Sequence, residues 1–238
     1  MGKPKKDLKV AIFCPSYKRD EYTEACIKAL RDAQKYENTT FYFTNDGGTE
    51  IYLDKYDFKI PAIVNNHIHN LGLRTSIIEF FEWVKCKTFG GAKDFDIIAK
   101  MDNDCMVPKN WLNDLIDILD KYDVDILSPN VFPSNAAFRY GKVEEGLPYI
   151  KAKTVGGLWC MKASLIEDME FIKYPTGKLK GSIAILRQID NEKSPKIGWA
   201  YKIMVDDIGH YTGKHPSCIK TPEHEAYYLE VGRDISWG

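Results

Sequence analysis

The segment DFDIIAKMDNDCMVPKNW, residues 94–111, runs an apolar stretch (Ile97, Ile98, Ala99, Met101) directly into Asp102-Asn103-Asp104. A short apolar run of this kind reads as a buried strand, and charges cannot follow it into the interior without partners. The fold must therefore bring the tip of this strand out to a place where two carboxylates have something to meet. Alternate residues of an extended chain point the same way, so Asp102 and Asp104 can face one ligand group. Two hard oxygen ligands suit Mg²⁺ or Mn²⁺, which are commonly held by one or two carboxylates together with substrate phosphates. The same three residues would also make an ordinary polar turn, with Asp102 or Asn103 capping the helix after Pro108.

The rest of the chain supplies the setting for that strand. Residues 9–14 read as a buried strand, and residues 20–36 as a helix with Cys26, Ala29, Leu30 and Ala33 at helical spacing and Asp20 as its cap. Residues 40–44 are β-branched and aromatic, hence a strand, ending in the turn Asn45-Asp46-Gly47-Gly48. A short strand at 62–64, a helix at 75–85, the strand at 95–101, a helix at 111–122 and a strand at 125–128 continue the alternation. Beyond Pro129 a strand is expected at 155–161, a short helix at 163–168 and a strand at 201–205, with long loops at 129–153 and 173–198. Loops of that length in a compact domain serve as lids or substrate walls.

Regular alternation of this kind predicts an α/β fold with a mainly parallel sheet flanked by helices and an irregular acceptor-binding half. A single domain over 1–238 is expected, with a nucleotide-sugar-binding half at 1–107 and an acceptor and catalytic-base half at 108–238. In open α/β sheets ligands bind at the carboxyl ends of the strands. Pro15-Ser16-Tyr17, Asn45-Asp46, Asn65-Asn66 and Asp102-Asn103-Asp104 all follow predicted strands, so they gather on one edge as the floor of a cleft.

Composition narrows the class. A net charge of −1 gives no overall pull toward nucleic acid or anionic membrane. No apolar run approaches the roughly 20 residues that span a bilayer, and the basic N-terminus lacks the features of a signal peptide. The six cysteines show no CxxC spacing, which fits a reducing cytoplasm better than a disulfide or zinc framework. Neither a dinucleotide-binding G-x-G-x-x-G nor a P-loop is present.

Six stretches in order carry a resemblance: VAIFCPSYKRD (10–20), FYFTNDGGTE (41–50), NLGLRTS (70–76), DFDIIAKMDNDCMVP (94–108), VGGLWCMKASLI (155–166) and MVDDIGH (204–210). The chain resembles the GT-A glycosyltransferases, specifically the family 2-like nucleotide-sugar transferases. That resemblance implies that Pro15 and Ser16 hold the base through backbone groups, with Tyr17 or Arg19 nearby. Asn45-Asp46 stands where the family has Asp-Asp, so the base contact lies with one or the other. Asn70-Leu71-Gly72 and Arg74 would approach base and diphosphate. Asp102, beside Asn103, would sit by ribose or metal, and Asp104 would be the principal ligand of Mn²⁺ (or Mg²⁺). Gly156 and Gly157 would line the donor sugar. Asp206-Asp207 stands where the family has Glu-Asp, with Asp207 as catalytic base. A late histidine, His210 or His215, would complete the metal shell.

The same resemblance implies a nucleotide-sugar donor, a uracil nucleotide by preference, and a hydroxyl acceptor, with inversion at the anomeric carbon if Asp207 takes the proton. His67 and His69 read as loop residues near the base. Lys173, Lys178, Lys180 and Arg187 form a basic stretch, either a solvated face or a site for a phosphate-bearing acceptor such as modified nucleic acid. The alternatives are a sugar-phosphate nucleotidyltransferase, whose glycine-rich basic loop after the first strand is missing, and a non-catalytic nucleotide-sugar-binding module.

Overall fold

The computed structural model describes residues 7–17, 20–33, 38–86, 95–132, 137, 142–171 and 181–208. β1 (Val10–Ser16) is buried along its whole length, as a central strand covered on both faces must be. It pairs in parallel with β2 (Thr39–Asp46) on one side and β4 (Ile97–Lys100) on the other, and β2 pairs in parallel with β3 (Ala62–His67). The sheet then turns mixed. β8 (Trp159–Lys162) runs antiparallel between β4 and β6 (Ile126–Phe132), and β9 (Ile197–Asp207) lies parallel to β6. The outer positions are taken by β5 (Cys105–Met106) and β7 (Ile150–Ala152), both antiparallel to β9. The strand order is β3-β2-β1-β4-β8-β6-β9-β5, with β7 pairing β9 off this path.

Alternation along the strands divides the interior into two layers. Val10, Ile12 and Cys14 face the layer that holds α1 (Asp20–Ala33) and α3 (Trp111–Lys121). Ala11 and Phe13 face the layer of α2 (Leu73–Cys86) and α4 (Gly181–Lys193). α3 presents Leu112, Leu115, Ile116 and Leu119 to the sheet at helical spacing. α1 carries Asp20 and Glu21 in its first turn and Arg31 in its last, each placed to oppose the helix dipole favourably. Under α2, Phe13 stacks on Phe80 with centroids 5.0 Å apart, and Tyr42 leans on Trp83 at 5.1 Å.

The second half departs from expectation. The segment expected as a loop at 173–198 contains α4, whose Ser182, Ile185, Leu186 and Ile189 are buried at helical spacing. The strand expected from 155 begins only at Trp159, so Gly156 and Gly157 lie in the connection that leads into β8. β6 and β7 occupy both ends of the segment expected as a loop at 129–153. β9 is longer than its predicted 201–205. Its register against β6 jumps between Pro129 and Asn130, from Ala200 to Met204, and that irregularity re-aims its final residues toward β5.

Candidate functional site

The carboxyl ends of the first three strands finish level with one another. Ser16 lies beside Asn45, and Asn45 beside Asn66, so their polar ends make one row along the sheet edge. β4 stops sooner. Met101 donates its N–H to the Phe13 carbonyl at 2.9 Å, and the chain then turns, with the Cys105 N–H returning to the Asp102 carbonyl at 3.2 Å.

This turn replaces the extended geometry expected for Asp102 and Asp104, and it sends three consecutive side chains to three neighbours. The Asp102 carboxylate forms an ion pair with Lys100, whose ammonium also donates to the Gly157 carbonyl at 2.6 Å. Asn103 donates to the Thr23 hydroxyl at 2.8 Å, and that hydroxyl is 2.8 Å from Ser16 Oγ, so one relay ties β1, α1 and the turn together. Asp104 is buried; its Oδ1 lies 4.0 Å from the Cys105 thiol, and its carbonyl accepts the Ile208 N–H at 2.8 Å.

Lys100 was not foreseen. It is fully buried between Phe13 of β1 and Trp159 of β8, both also fully buried. The sequence carried a signal, a lysine interrupting the apolar run IIAKM two residues before an aspartate. A lysine is almost never fully buried unless paired. Gly157 completes the arrangement. A Cβ at that position would stand 3.1 Å from Asp102 Cγ and overlap Oδ2, so only glycine leaves room for the carboxylate.

At the expected base pocket, both candidate side chains are built into the rim. Asn45 closes its own turn, accepting the Gly48 N–H at 2.8 Å and donating to the Gly48 carbonyl at 3.0 Å. Asp46 accepts the N–H groups of Leu71 and Gly72 at 2.7 and 2.8 Å, which fixes the loop leading into α2. Gly47, at φ +83°, lets this turn approach Asn70, whose backbone nitrogen would lie 2.7 Å from a Cβ there. His67 is no free loop residue. Its Nδ1 lies 3.2 Å from Asp46 and its Nε2 2.9 Å from Glu79. His69 is exposed. Arg74 is buried in the first turn of α2 and reaches Gln188 of α4 at 3.4 Å; burial pulls its pKa below the ordinary value. Pro15 is buried in β1, and Tyr17 stands half-buried just past its end.

The far wall comes from β9. Cys105 pairs with Asp207 and Met106 with Asp206, so the last two rungs of β9 are stitched to the strand that follows Asp104. Asp207 is half-buried and Asp206 exposed. The Cys105 thiol registers the convergence. Burial pushes its pKa well above the usual thiol value, and the carboxylates of Asp104, Asp207 and Asp102 push it further while Lys100 opposes them. Asp104 thus lies beside the thiol at 4.0 Å and Asp207 stands opposite it in the ladder, while Asp102 is turned to Lys100. Arg19, His210 and His215 lie outside the described residues.

The fit to a divalent cation can be judged from these donors. Among the described residues no group of three or more His, Cys, Asp or Glu side chains could by itself hold a metal. Asp104 offers hard oxygens at the sheet edge, a donor set that suits Mg²⁺ or Mn²⁺ when substrate phosphates complete the shell. No described helix is long and apolar enough to cross a membrane.

A mixed α/β sheet with helices on both faces and acidic residues at the carboxyl edge is the architecture of the GT-A glycosyltransferases. The profile of glycosyl transferase family 2 matches residues 11–160, and the chain belongs to that family. No curated protein sequence matches the chain significantly. Among solved structures, S. aureus TarS 1–349 aligns with TM-score 0.59 at 15% identity, over 84% of this chain and 60% of that one. The TarS 1–349 complex with UDP aligns with TM-score 0.60 at 15% identity, over 94% of this chain and 64% of that one. The complex with UDP-GlcNAc gives TM-score 0.60 at 16% identity, over 94% and 64%. The chain therefore spans less than two thirds of these TarS chains.

Proposed function

We propose that the protein transfers a sugar from a nucleotide-diphosphate donor, a UDP-sugar by preference, to an acceptor hydroxyl. The observation that carries the reading is the two-rung pairing that sets Asp207 opposite Cys105, the neighbour of Asp104, at the carboxyl edge of a family 2 sheet. The TarS neighbours, solved with UDP and UDP-GlcNAc, support the choice of nucleotide.

In this reading the rim formed by Ser16, Asn45 and the loop held by Asp46 receives the base, and Arg74 lies toward the diphosphate. Gly156 and Gly157 line the donor sugar through their backbone, with the Asp102 carboxylate packed against Gly157. Asp104 would hold Mn²⁺ or Mg²⁺ against the diphosphate. That cation would neutralise the charge developing on the leaving group. Asp207 takes the proton from the acceptor hydroxyl as it attacks the anomeric carbon, the bond to the diphosphate oxygen breaks, and the configuration inverts. The half-buried position of Asp207, against the exposure of Asp206, supports giving the base role to the second of the pair. Gathering donor and acceptor at one edge removes much of the entropic cost of their encounter.

A donor screen tests the reading. The purified protein is incubated with UDP-, GDP- and dTDP-sugars and Mn²⁺, and released nucleoside diphosphate is measured. Slow release from UDP-sugars, lost in Asp104→Asn, is expected. Absence of both nucleotide binding and release with every donor would sink it.

A further inference from the structure

The structure assigns to His67 a positioning role in nucleotide binding: its ring holds Asp46, and through Asp46 the backbone of Leu71 and Gly72, in place on the base side of the rim. This rests on the donor-site reading above and adds to it a residue that reading does not use. The His67 side chain, at the end of β3, is only 10% exposed, and its Nδ1 lies 3.2 Å from Asp46 Oδ1. A ring nitrogen that faces a carboxylate oxygen at that distance carries a proton, so Nδ1 is the donor. On the opposite edge Nε2 lies 2.9 Å from Glu79 of α2 and 2.9 Å from the Asn65 amide nitrogen. That amide nitrogen also stands 3.5 Å from Glu79 and 3.5 Å from the Tyr42 hydroxyl. Whichever of these groups engages Nε2, the ring is gripped at both edges and cannot turn Nδ1 away from Asp46.

The constraint passes from the ring to the loop. Asp46 Oδ1 accepts the Leu71 N–H at 2.7 Å as well as the His67 ring, and Oδ2 accepts the Gly72 N–H at 2.8 Å. With three donors on a buried carboxylate, Asp46 serves the nucleotide through the loop it orders. The terminal torsion of an aspartate is soft, so two loop amides alone leave the carboxylate free to rock with the loop. The imidazole N–H anchors it to β3 and α2 instead, by a charge-assisted bond of the stronger kind. The loop is also packed against the turn that follows β2, where a Cβ on Gly47 would stand 2.7 Å from the Asn70 nitrogen. A displacement of residues 70–72 therefore disturbs both sides of the rim.

The test sets two near-isosteric replacements beside His67→Ala. The amide nitrogen of asparagine falls near the place of Nδ1 and that of glutamine near the place of Nε2. His67→Asn therefore keeps the donor to Asp46, while His67→Gln keeps the contact with Glu79 and loses that donor. Binding of UDP and of inorganic pyrophosphate, each with Mn²⁺, is measured by calorimetry. UDP affinity is expected to fall on the order of tenfold in His67→Ala and His67→Gln, the equivalent of one charge-assisted hydrogen bond, and to be restored to within about threefold in His67→Asn. Pyrophosphate has no base and should bind wild type and variants alike, whereas a residue that merely supports the fold would weaken both ligands. Parallel loss of UDP and pyrophosphate affinity overturns the proposal, as does UDP binding by His67→Ala or His67→Gln as tight as that of His67→Asn. Should His67→Ala not fold, the contrast between His67→Asn and His67→Gln decides. Hydrogen exchange at the Leu71 and Gly72 amides separates the clamp from the reading on which it rests. Faster exchange in His67→Gln than in His67→Asn supports the clamp with or without nucleotide, and equal exchange refutes it. Failure of wild type to bind UDP in Mn²⁺ counts instead against the donor-site reading, a separate result.

Discussion

Replacing Gly157 by alanine adds one methyl group and should be felt at Asp102 before anywhere else. The new Cβ would stand 3.1 Å from Asp102 Cγ and inside contact distance of Oδ2, whereas ordinary contact begins at 3.4 Å. The oxygen must retreat by on the order of 1 Å to reach van der Waals separation. Asp102 can swing outward, since its side chain is 36% exposed, but Lys100 at 0% cannot follow it. Breaking a fully buried pair costs about 3–5 kcal/mol, and overpacking about 1–3 kcal/mol. Partial exposure of Asp102, and the carbonyl that Lys100 retains, place Gly157→Ala near the lower range, about 1–3 kcal/mol. A domain with about 5–15 kcal/mol of stability stays folded under that loss. Donor turnover should nonetheless fall on the order of 10²-fold, the usual consequence of a 1 Å misplacement at a reacting centre. Urea unfolding followed by tryptophan fluorescence reads the first quantity, and UDP calorimetry with donor turnover the second. A Gly157→Ala protein with wild-type stability and turnover would refute the close-approach argument.

Three further outcomes are expected. Asp207→Asn keeps the shape of the side chain but cannot accept a proton, so turnover should drop by about 10²–10⁴ while UDP and Mn²⁺ affinities persist; near wild-type turnover on the true acceptor would move the base elsewhere. Asp46→Ala strips the acceptor from the Leu71 N–H and leaves the Gly72 N–H with Asn70 alone, and should cost about 1–3 kcal/mol, together with looser UDP binding; equal urea midpoints for variant and wild type would contradict this. Asp123 has its pKa lowered to about 2 by hydrogen bonds from Lys196 and then Lys162. Its contribution to stability is present above pH 4 and is lost as pH falls from about 4 to 2. Asp123→Asn, which tolerates the same left-handed backbone at φ +49°, should therefore be less stable than wild type at pH 7 and equal to it below pH 2 in acid titrations of the unfolding midpoint.

The parallel half of the fold was legible because each of its strands carries a short apolar or aromatic run that gives way to polar residues at its carboxyl end. Ile97 to Met101 could be read as a buried strand without any knowledge of its neighbours, and the row of Ser16, Asn45 and Asn66 follows from parallel pairing alone. The second half was harder. α4 hides behind Gly181 and a lysine-rich approach, its buried Leu186 and Ile189 are separated by Arg187 and Gln188, and its last turn, Asp190-Asn191-Glu192-Lys193, is polar throughout. The contacts within the site were not readable for a different reason. That Asp102 and Asp104 part company depends on a turn closed by the Cys105 N–H, and that Lys100 reaches Gly157, 57 residues away, depends on β4 and β8 being neighbours. Neither is encoded by spacing along one segment. Asn45 and Asp46 could be picked out as loop residues, but their roles in holding Gly48, Leu71 and Gly72 emerge only when the two loops meet.

The two-rung pairing of Cys105–Met106 with Asp206–Asp207 acts as a spacer. Because the rungs are main-chain bonds, the separation between the Asp104 carbonyl and the start of Ile208 is a matter of backbone geometry and is indifferent to which side chains surround it. Side-chain changes along the ladder therefore leave the distance between its two acidic ends untouched. For an engineer this makes the ladder a chassis: the side chains it carries are the part to exchange, while its main-chain rungs, with Gly157 and Lys100 behind them, are the part to leave alone.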